Sequence, residues 1–170
     1  DLSHRPRYDL QDANVDAFTP FGVNIPESNG KTIFREGLAV NRMNGTQASI
    51  YNLAGQYDLP TPEETSYTDV TEATLCVALF GRYTFSICEK LSALDFMDRW
   101  KKTPFLYQGP FAHVPCQIIT LNKSEKTPGI ILTCSRGYGR DMIHAILEAG
   151  PEFDLKPAGE SRFGMWTHGL

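Results

Sequence analysis

The alternation of apolar and polar positions is sharpest in the second half of the chain. The runs TLCVALF (74–80) and YTFSIC (83–88) are rich in β-branched and aromatic residues and are separated by Gly81-Arg82. A glycine at the first position of a two-residue loop suits a type II′ turn, so we expect a β-hairpin here. The runs CQIITL (116–121) and IILTC (130–134) predict two further strands.

Two stretches show helical spacing. Ser92 and Asp95 form a capping arrangement, and the apolar residues that follow keep a helical period until Pro104. A second apolar stripe predicts a helix over 139–149, with Pro151 blocking its continuation. A last strand is expected over 153–156.

Residues 1–30 show no sustained period and contain several prolines, and residues 36–57 have only a weak helical spacing. The N-terminal segment comprises residues 1–69. We expect an extended or irregular N-terminal segment here, with a short strand over 31–34, a strand or short helix near 47–53 and a polar connector over 59–69. Residues 70–170 then form the core domain. Its order of strands, helix, strands, helix and strand predicts an α+β two-layer sandwich, a mostly antiparallel sheet with two helices on one face.

Charge and hydropathy exclude some classes of partner. The chain of 170 residues has a net charge of −4, which disfavours nucleic acid as a partner because phosphate contacts need a dense positive face. No apolar run is long enough to span a membrane. The chain begins with Asp1 rather than methionine, so we expect a mature form from which any signal peptide has been removed.

The cysteines indicate an oxidising compartment. Their even number and the lack of a C-x-x-C spacing favour two disulfides and no metal site. The expected hairpin places Cys76 and Cys88 on opposite faces, which leaves the other two pairings open. Asn44 and Asn122 lie in glycosylation sequons, which also favours secretion. The alternative is a cytosolic protein with inert buried thiols. The four cysteines are Cys76, Cys88, Cys116 and Cys134.

The turn before the second helix offers a candidate binding site. Gly137-Tyr138-Gly139 could present backbone N–H groups to an anion, with Arg136 and Arg140 beside it. The simpler interpretation is a tight β-to-α turn that serves as scaffold. Binding candidates are therefore Arg136, Tyr138, Arg140 and, in the aromatic tail, Trp166.

Two histidines are candidates for acid–base catalysis. His144 lies between Asp141 and Glu148 on one flank of the predicted helix, where a carboxylate could tune an imidazole. The alternative is a solvated helix face with i,i+4 pairing. His113 lies three residues before Cys116, but catalytic Cys–His pairs are usually distant in sequence. We therefore expect binding rather than catalysis, and no cofactor.

The segment 70–157 resembles the α/β sandwich of secreted fungal killer-toxin-like proteins, a scaffold shared with plant-pathogen effectors. The resemblance is carried by the TLCVALF, CQIITL and IILTC strands and by the SALDFMDRWKK and RDMIHAILEA helices. It implies a secreted, disulfide-stabilised module that acts by binding a host or competitor target without a cofactor.

Three functions follow from these observations. The first is a secreted, extracellular recognition protein of effector or toxin type, a virulence glycoprotein with a protein target. The second is a small secreted hydrolase, ribonuclease-like, that uses His144 or His113 with Arg140. The third is an accessory subunit of a larger assembly, whose N-terminal arm would lie across another chain. The sequence leaves the oligomeric state open.

Overall fold

A computed structural model describes residues 1–53 and 65–169. The described residues form two antiparallel sheets and three α-helices. The first sheet contains β1 (Arg7–Gln11), β2 (Thr32–Arg35), β3 (Leu38–Arg42), β4 (Gln47–Asn52) and β5 (Tyr67–Asp69). The second contains β6 (Thr74–Phe80), β7 (Phe105–Phe111), β8 (Val114–Asn122) and β9 (Gly129–Ser135). The helices are α1 (Thr84–Leu91), α2 (Gly139–Ala149) and α3 (Glu160–Thr167).

The second sheet, in the order β6-β9-β8-β7, is the centre of the fold. On one face, Val77 and Leu132 pack against Ile87 of α1 and Met142 of α2. On the other face, residues such as Ile131 pack against α3 and the first sheet. The predicted α+β sandwich, with a mostly antiparallel sheet and two helices on one face, is confirmed.

The first sheet has the order β2-β3-β4-β1-β5. Its outer face is apolar and is covered by the irregular chain between β1 and β2, which contributes Val15 and Ile25 to a small core around Leu10 and Ile50. Its inner face is partly polar. Tyr51 donates a hydrogen bond to Gln117 Oε1 of β8 at 2.6 Å, and Ser49 donates one to the same oxygen at 3.0 Å. These bonds connect the two sheets across their interface.

Residues 1–69 combine irregular stretches with the five strands of the first sheet. The predicted boundary at 69/70 falls between β5 and β6, which belong to different sheets, and the division into two units stays a prediction. The short strand predicted over 31–34 corresponds to β2, and the segment near 47–53, predicted as a strand or a short helix, is the strand β4. Residues 59–64 of the predicted connector lie outside the described residues.

The N-terminal turn lies on the chain's own second sheet. Leu2 N donates to Cys76 O at 2.8 Å, and Cys76 N donates to Ser3 Oγ at 3.0 Å. The fully buried Arg7 side chain holds this turn, because its guanidinium donates to the Thr74 hydroxyl and to five carbonyl oxygens. Those carbonyls belong to Leu2, Ser3, Arg5, Thr71 and Thr74.

The predicted hairpin over 74–88 is wrong in its second half. β6 is a strand, but residues 84–91 form α1, in which Thr84, Ile87 and Cys88 are buried at helical spacing. Gly81 has φ +123°, and its carbonyl accepts from the Thr84 amide and hydroxyl, so the turn starts a helix rather than a second strand. An eight-residue segment contains too few apolar positions to separate a period of two from one of 3.6.

Two further elements also differ from expectation. The segment predicted as a helix after Ser92 is irregular, and the edge strand β7 that follows it was missed because Gly109-Pro110 interrupts its pattern. A proline is tolerated there because β7 lies at the edge of the sheet. The strand predicted over 153–156 is wrong, since a short 3-10 turn, Pro151–Phe153, leads into irregular chain. The strands over 116–121 and 130–134 and the helix over 139–149 are confirmed as β8, β9 and α2.

All four cysteines are free thiols and all are buried, so the predicted disulfides are wrong. Cys116 and Cys134 lie directly opposite each other on β8 and β9. The hydrogen bond between them raises the pKa of the Cys116 thiol and lowers that of Cys134. Burial raises the pKa of Cys76 to about 11 and that of Cys88 to about 12. Cys76 and Cys88 therefore stay protonated inside the core near neutral pH. The four residues are Cys76, Cys88, Cys116 and Cys134.

Candidate partner-binding surfaces

The predicted anion-binding turn forms a short 3-10 turn, Arg136–Tyr138, that leads directly into α2. Arg136 is exposed and pairs with Glu72 at 2.8 Å. Tyr138 and Arg140 are also exposed, and 49 % of Tyr138 is accessible. The structure brings these three side chains to one end of the second sheet, where their binding role stays a prediction.

The two histidine candidates are exposed and lie on different elements. His144, on α2, has its Nε2 3.7 Å from Glu148 Oε1, the i,i+4 pair of a solvated helix face. His113 occupies the two-residue turn between β7 and β8, where it has φ +65°. Among the described residues, no hydrogen bond or ion pair joins His113 or Arg140 to His144. No group of three His, Cys, Asp or Glu side chains suited to a metal ion occurs in that part of the chain either.

Trp166 is buried rather than available to a partner. Its ring stacks on Phe80 with centroids 5.1 Å apart and an interplanar angle of 12°. Its indole N–H donates to Thr127 O at 3.0 Å. The predicted binding candidate therefore holds α3 on the second sheet.

An apolar groove of about 270 Å³ runs along the outer edge of β6. It lies between α2 and the chain leading into α3, with Ala78, Phe80, Leu147 and Leu155 among its lining residues. Within the described residues, β6 is an edge strand that pairs with β9. The groove is large enough for one apolar side chain or a small apolar ligand.

The irregular segment between α1 and β7, residues 92–104, is held by polar contacts along its length. The Asp95 carboxylate accepts from the Met97 amide at 3.0 Å, and the Asp98 carboxylate accepts from the Trp100 amide at 2.9 Å. Lys123 donates to the Asp98 and Lys101 carbonyls at 2.9 and 2.8 Å. This segment, the 92–104 loop, is therefore fixed at several points although it has no regular secondary structure.

The 92–104 loop exposes large apolar side chains. Phe96 is 3 % exposed and packs edge-on against Tyr107, which anchors the loop to the core. Met97 is 50 % exposed and Trp100 is 80 % exposed. Burial lowers the pKa of the nearby Lys123, and Asp98 opposes that shift. The loop thus presents two apolar side chains beside a lysine that is committed to loop carbonyls.

Sequence reasoning missed Trp100 and Met97 as surface residues, because it placed both on the apolar stripe of a helix. A local signal was available. In Asp95-Phe96-Met97 and Asp98-Arg99-Trp100, an aspartate lies two residues before the exposed side chain. An aspartate side chain that bonds to the amide two residues on favours a turn over a helix.

Comparison with known proteins shows a similarity of fold. No protein-family profile matches the chain, and no curated protein matches it in sequence. Among solved structures, a chain of the heterotetrameric sarcosine oxidase from Corynebacterium sp. U-96, in complex with pyrrole 2-carboxylate, superposes with a TM-score of 0.69. The match covers 92 % of this chain and 84 % of that chain at 15 % identity. At this identity the likeness shows a shared fold.

This likeness corrects the interpretation of the sequence. The resemblance to killer-toxin-like proteins and effectors is wrong, because nearly the whole chain, including residues 1–69, follows the fold of an oxidase chain. The secreted recognition protein and the ribonuclease-like hydrolase are wrong for the same reason. The prediction of an extracellular location rested on disulfides, and the thiols are free. Glycosylation of Asn44 and Asn122 depended on that location, and we do not propose it.

The expectation of protein partners is supported at a coarse level, since the similar chain belongs to a heterotetramer. None of the helices in residues 1–53 and 65–169 has the length and apolarity that a bilayer crossing requires.

Proposed function

We propose that this chain is a subunit of a hetero-oligomeric oxidase and that its contribution is to bind partner subunits. The observation that carries the proposal is the match to a chain of heterotetrameric sarcosine oxidase over 92 % of the present chain. That protein is a multi-chain assembly, so the fold is compatible with a place among other subunits. This is the accessory-subunit interpretation of the sequence.

The exposed residues support the same proposal. Large apolar side chains are accessible at several sites, among them Trp100 at 80 %, Met165 at 65 % and Met97 at 50 %. Aromatic residues and methionine are enriched where proteins meet. The histidines proposed for catalysis lie on the surface, where His144 is occupied with Glu148.

The N-terminal turn packs against its own chain, whereas a subunit arm was expected to lie across another chain. Leu2 and Ser3 bond to Cys76 of the same chain, and Arg7 fixes them there. A partner subunit would therefore meet the folded body of this chain rather than an arm exchanged between chains.

The test is purification of the chain from its native host through an affinity tag under non-denaturing conditions. We expect a hetero-oligomer of fixed stoichiometry by native mass spectrometry, with oxygen consumption on N-methyl amino acids such as sarcosine. Recovery of the chain alone, or as copies of itself, would overturn the proposal. An assembly without oxidase activity would retain the subunit role and reject the oxidase.

A further inference from the structure

Trp100 is a large apolar side chain presented to solvent by a segment that is held in place. Asp98 bonds to its amide, Lys123 bonds to the carbonyls on either side of it, and Phe96 anchors the loop in the core. The Arg99 guanidinium lies 4.9 Å from the centre of the Trp100 ring. Because the backbone of the loop is already fixed, little backbone conformational entropy is lost when a partner covers Trp100, which favours its use in binding.

The surroundings of Trp100 are basic in a chain that is acidic overall. Beside Met97 lies an open depression of about 630 Å³ whose lining includes Arg82, Tyr83, Lys123 and Lys126. Counting the 92–104 loop with this lining gives six basic residues against three acidic ones, in a chain whose net charge is −4. We call this region the Trp100 surface, defined by Arg82, Tyr83, Met97, Trp100, Lys123 and Lys126.

This composition fits an interface with an acidic protein. Tryptophan, tyrosine, methionine and arginine are the residue types enriched in the cores of protein interfaces. A basic patch steers association toward a face of opposite charge. The patch is small and the rest of the chain is strongly acidic, which opposes binding along a polyanion such as nucleic acid.

We propose that the Trp100 surface docks on a partner subunit whose complementary face offers an apolar pocket rimmed by aspartate and glutamate. Trp100 fills the pocket, and the exposed Arg82 and Lys126 face the acidic rim. The proposal rests on the subunit role above and goes beyond it by naming the surface and the chemistry of the partner.

The test compares Trp100→Ala with Ile33→Thr in the assembled complex. Ile33 is the control, since it is an exposed apolar residue on β2 of the first sheet and belongs to none of the surfaces described above. Both side chains are exposed, and threonine keeps the β-branched shape of isoleucine, so we expect both variants to keep the wild-type unfolding midpoint. We expect Trp100→Ala to weaken binding of the isolated partner subunits at least about tenfold and Ile33→Thr less than about twofold, since interface anchors are few. Raising the salt concentration should weaken wild-type binding.

A photo-crosslinking amino acid at position 100 identifies what the surface touches. Adducts that map to a glutamate- and aspartate-rich face of another subunit support the proposal. Adducts to nucleic acid or to a second copy of this chain overturn it. A complex that forms equally well with wild type and Trp100→Ala overturns the docking surface and leaves the subunit role standing, whereas a wild-type chain that forms no complex overturns both.

Discussion

At the scale of single residues, Arg7 is a buried cation whose burial must be offset by hydrogen bonds. Its side chain is fully buried, and its guanidinium donates to five carbonyls at 2.7–3.1 Å. A buried cation is tolerated when its donors are satisfied, and here the partners are main-chain dipoles. Arg7 therefore joins the N-terminal turn to the connection between β5 and β6.

We expect Arg7→Met to lower the free energy of unfolding by at least about 3 kcal/mol, because it leaves buried carbonyls without donors. Arg35→Met is the matched control, since Arg35 lies exposed on the edge strand β2, and we expect it to stay within about 0.5 kcal/mol of wild type. Urea titration measures both. Equal effects of the two changes would contradict the role given to Arg7.

The buried thiols make stability depend on pH. Burial raises the pKa of Cys76 from 9.0 to about 11 and that of Cys88 from 9.0 to about 12. Burial likewise raises the pKa of the Tyr51 hydroxyl. The folded state thus binds more protons than the unfolded state above the ordinary pKa of a thiol, so stability is fully present below pH 9 and falls as the pH rises.

We expect the free energy of unfolding to fall from about pH 9 upward, by up to about 1.4 kcal/mol per pH unit for each thiol that ionises only on unfolding. Cys88→Ala should be less stable at neutral pH but should show a shallower decline. Urea titrations across this range give the slope. A decline of equal steepness in both proteins would show that Cys88 does not contribute.

At the scale of elements, α3 is fixed by a close approach between a glycine and an aromatic ring. A Cβ at Gly129 would lie 2.2 Å from Trp166 Cζ2 and 2.9 Å from the Phe80 Cβ. Glycine at the start of β9 therefore lets the Trp166 ring lie flat against the strand. The same ring stacks on Phe80, so a single residue of β9 determines how the last helix docks.

Gly129→Ala should destabilise the protein by about 1–3 kcal/mol through overpacking. Gly45→Ala serves as the control, because no atom lies within 4 Å of a Cβ built there. In a Trp166→Ala background the cost of Gly129→Ala should shrink, since the clashing ring is gone. Additive effects in the double variant would contradict this packing.

The elements differ in how far the sequence could predict them. β8, β9 and α2 each match one period over enough residues, so their prediction from pattern alone succeeded. β3 failed to show a pattern because all five of its residues are buried, including Asn41 and Arg42, whose polar groups are satisfied inside the structure. Where both faces of a strand are covered, alternation disappears from the sequence.

The Trp100 surface could not be predicted from the sequence for a different reason. Its residues come from the 92–104 loop, the turn before α1 and the turn between β8 and β9, which meet only in the folded chain. Helical spacing was present over the loop, but the Asp95 and Asp98 side chains bond backbone amides that a helix would use. These side-chain hydrogen bonds to the backbone therefore outweighed the helical spacing of the apolar residues.

At the scale of the whole molecule, the two sheets share one core. Tyr51 and Ala39 of the first sheet pack with Ile119 and Ile131 of the second, and Gln117 accepts hydrogen bonds across the same interface. Separation of the sheets would expose this apolar surface and these polar groups together. The predicted division at 69/70 can therefore be tested, because two separate units would unfold independently whereas one shared core would unfold cooperatively.

We expect the amides of β4 and β8 to exchange hydrogen with the same opening free energy, because the sheets unfold as one unit. Hydrogen exchange followed by mass spectrometry gives both values from one sample. A markedly lower value for β4 would show that residues 1–69 open independently and would favour the two-unit division.

The two tryptophans differ in solvent exposure, so the intrinsic fluorescence of the protein can distinguish them. Trp100 is 80 % exposed and Trp166 is 8 % exposed, and the chain contains no other tryptophan. Iodide in solution should quench the emission of the first indole and leave the second almost untouched. If a partner covers Trp100, iodide should no longer quench the emission of that indole. A red shift of the Trp166 emission would instead report unfolding of the protein.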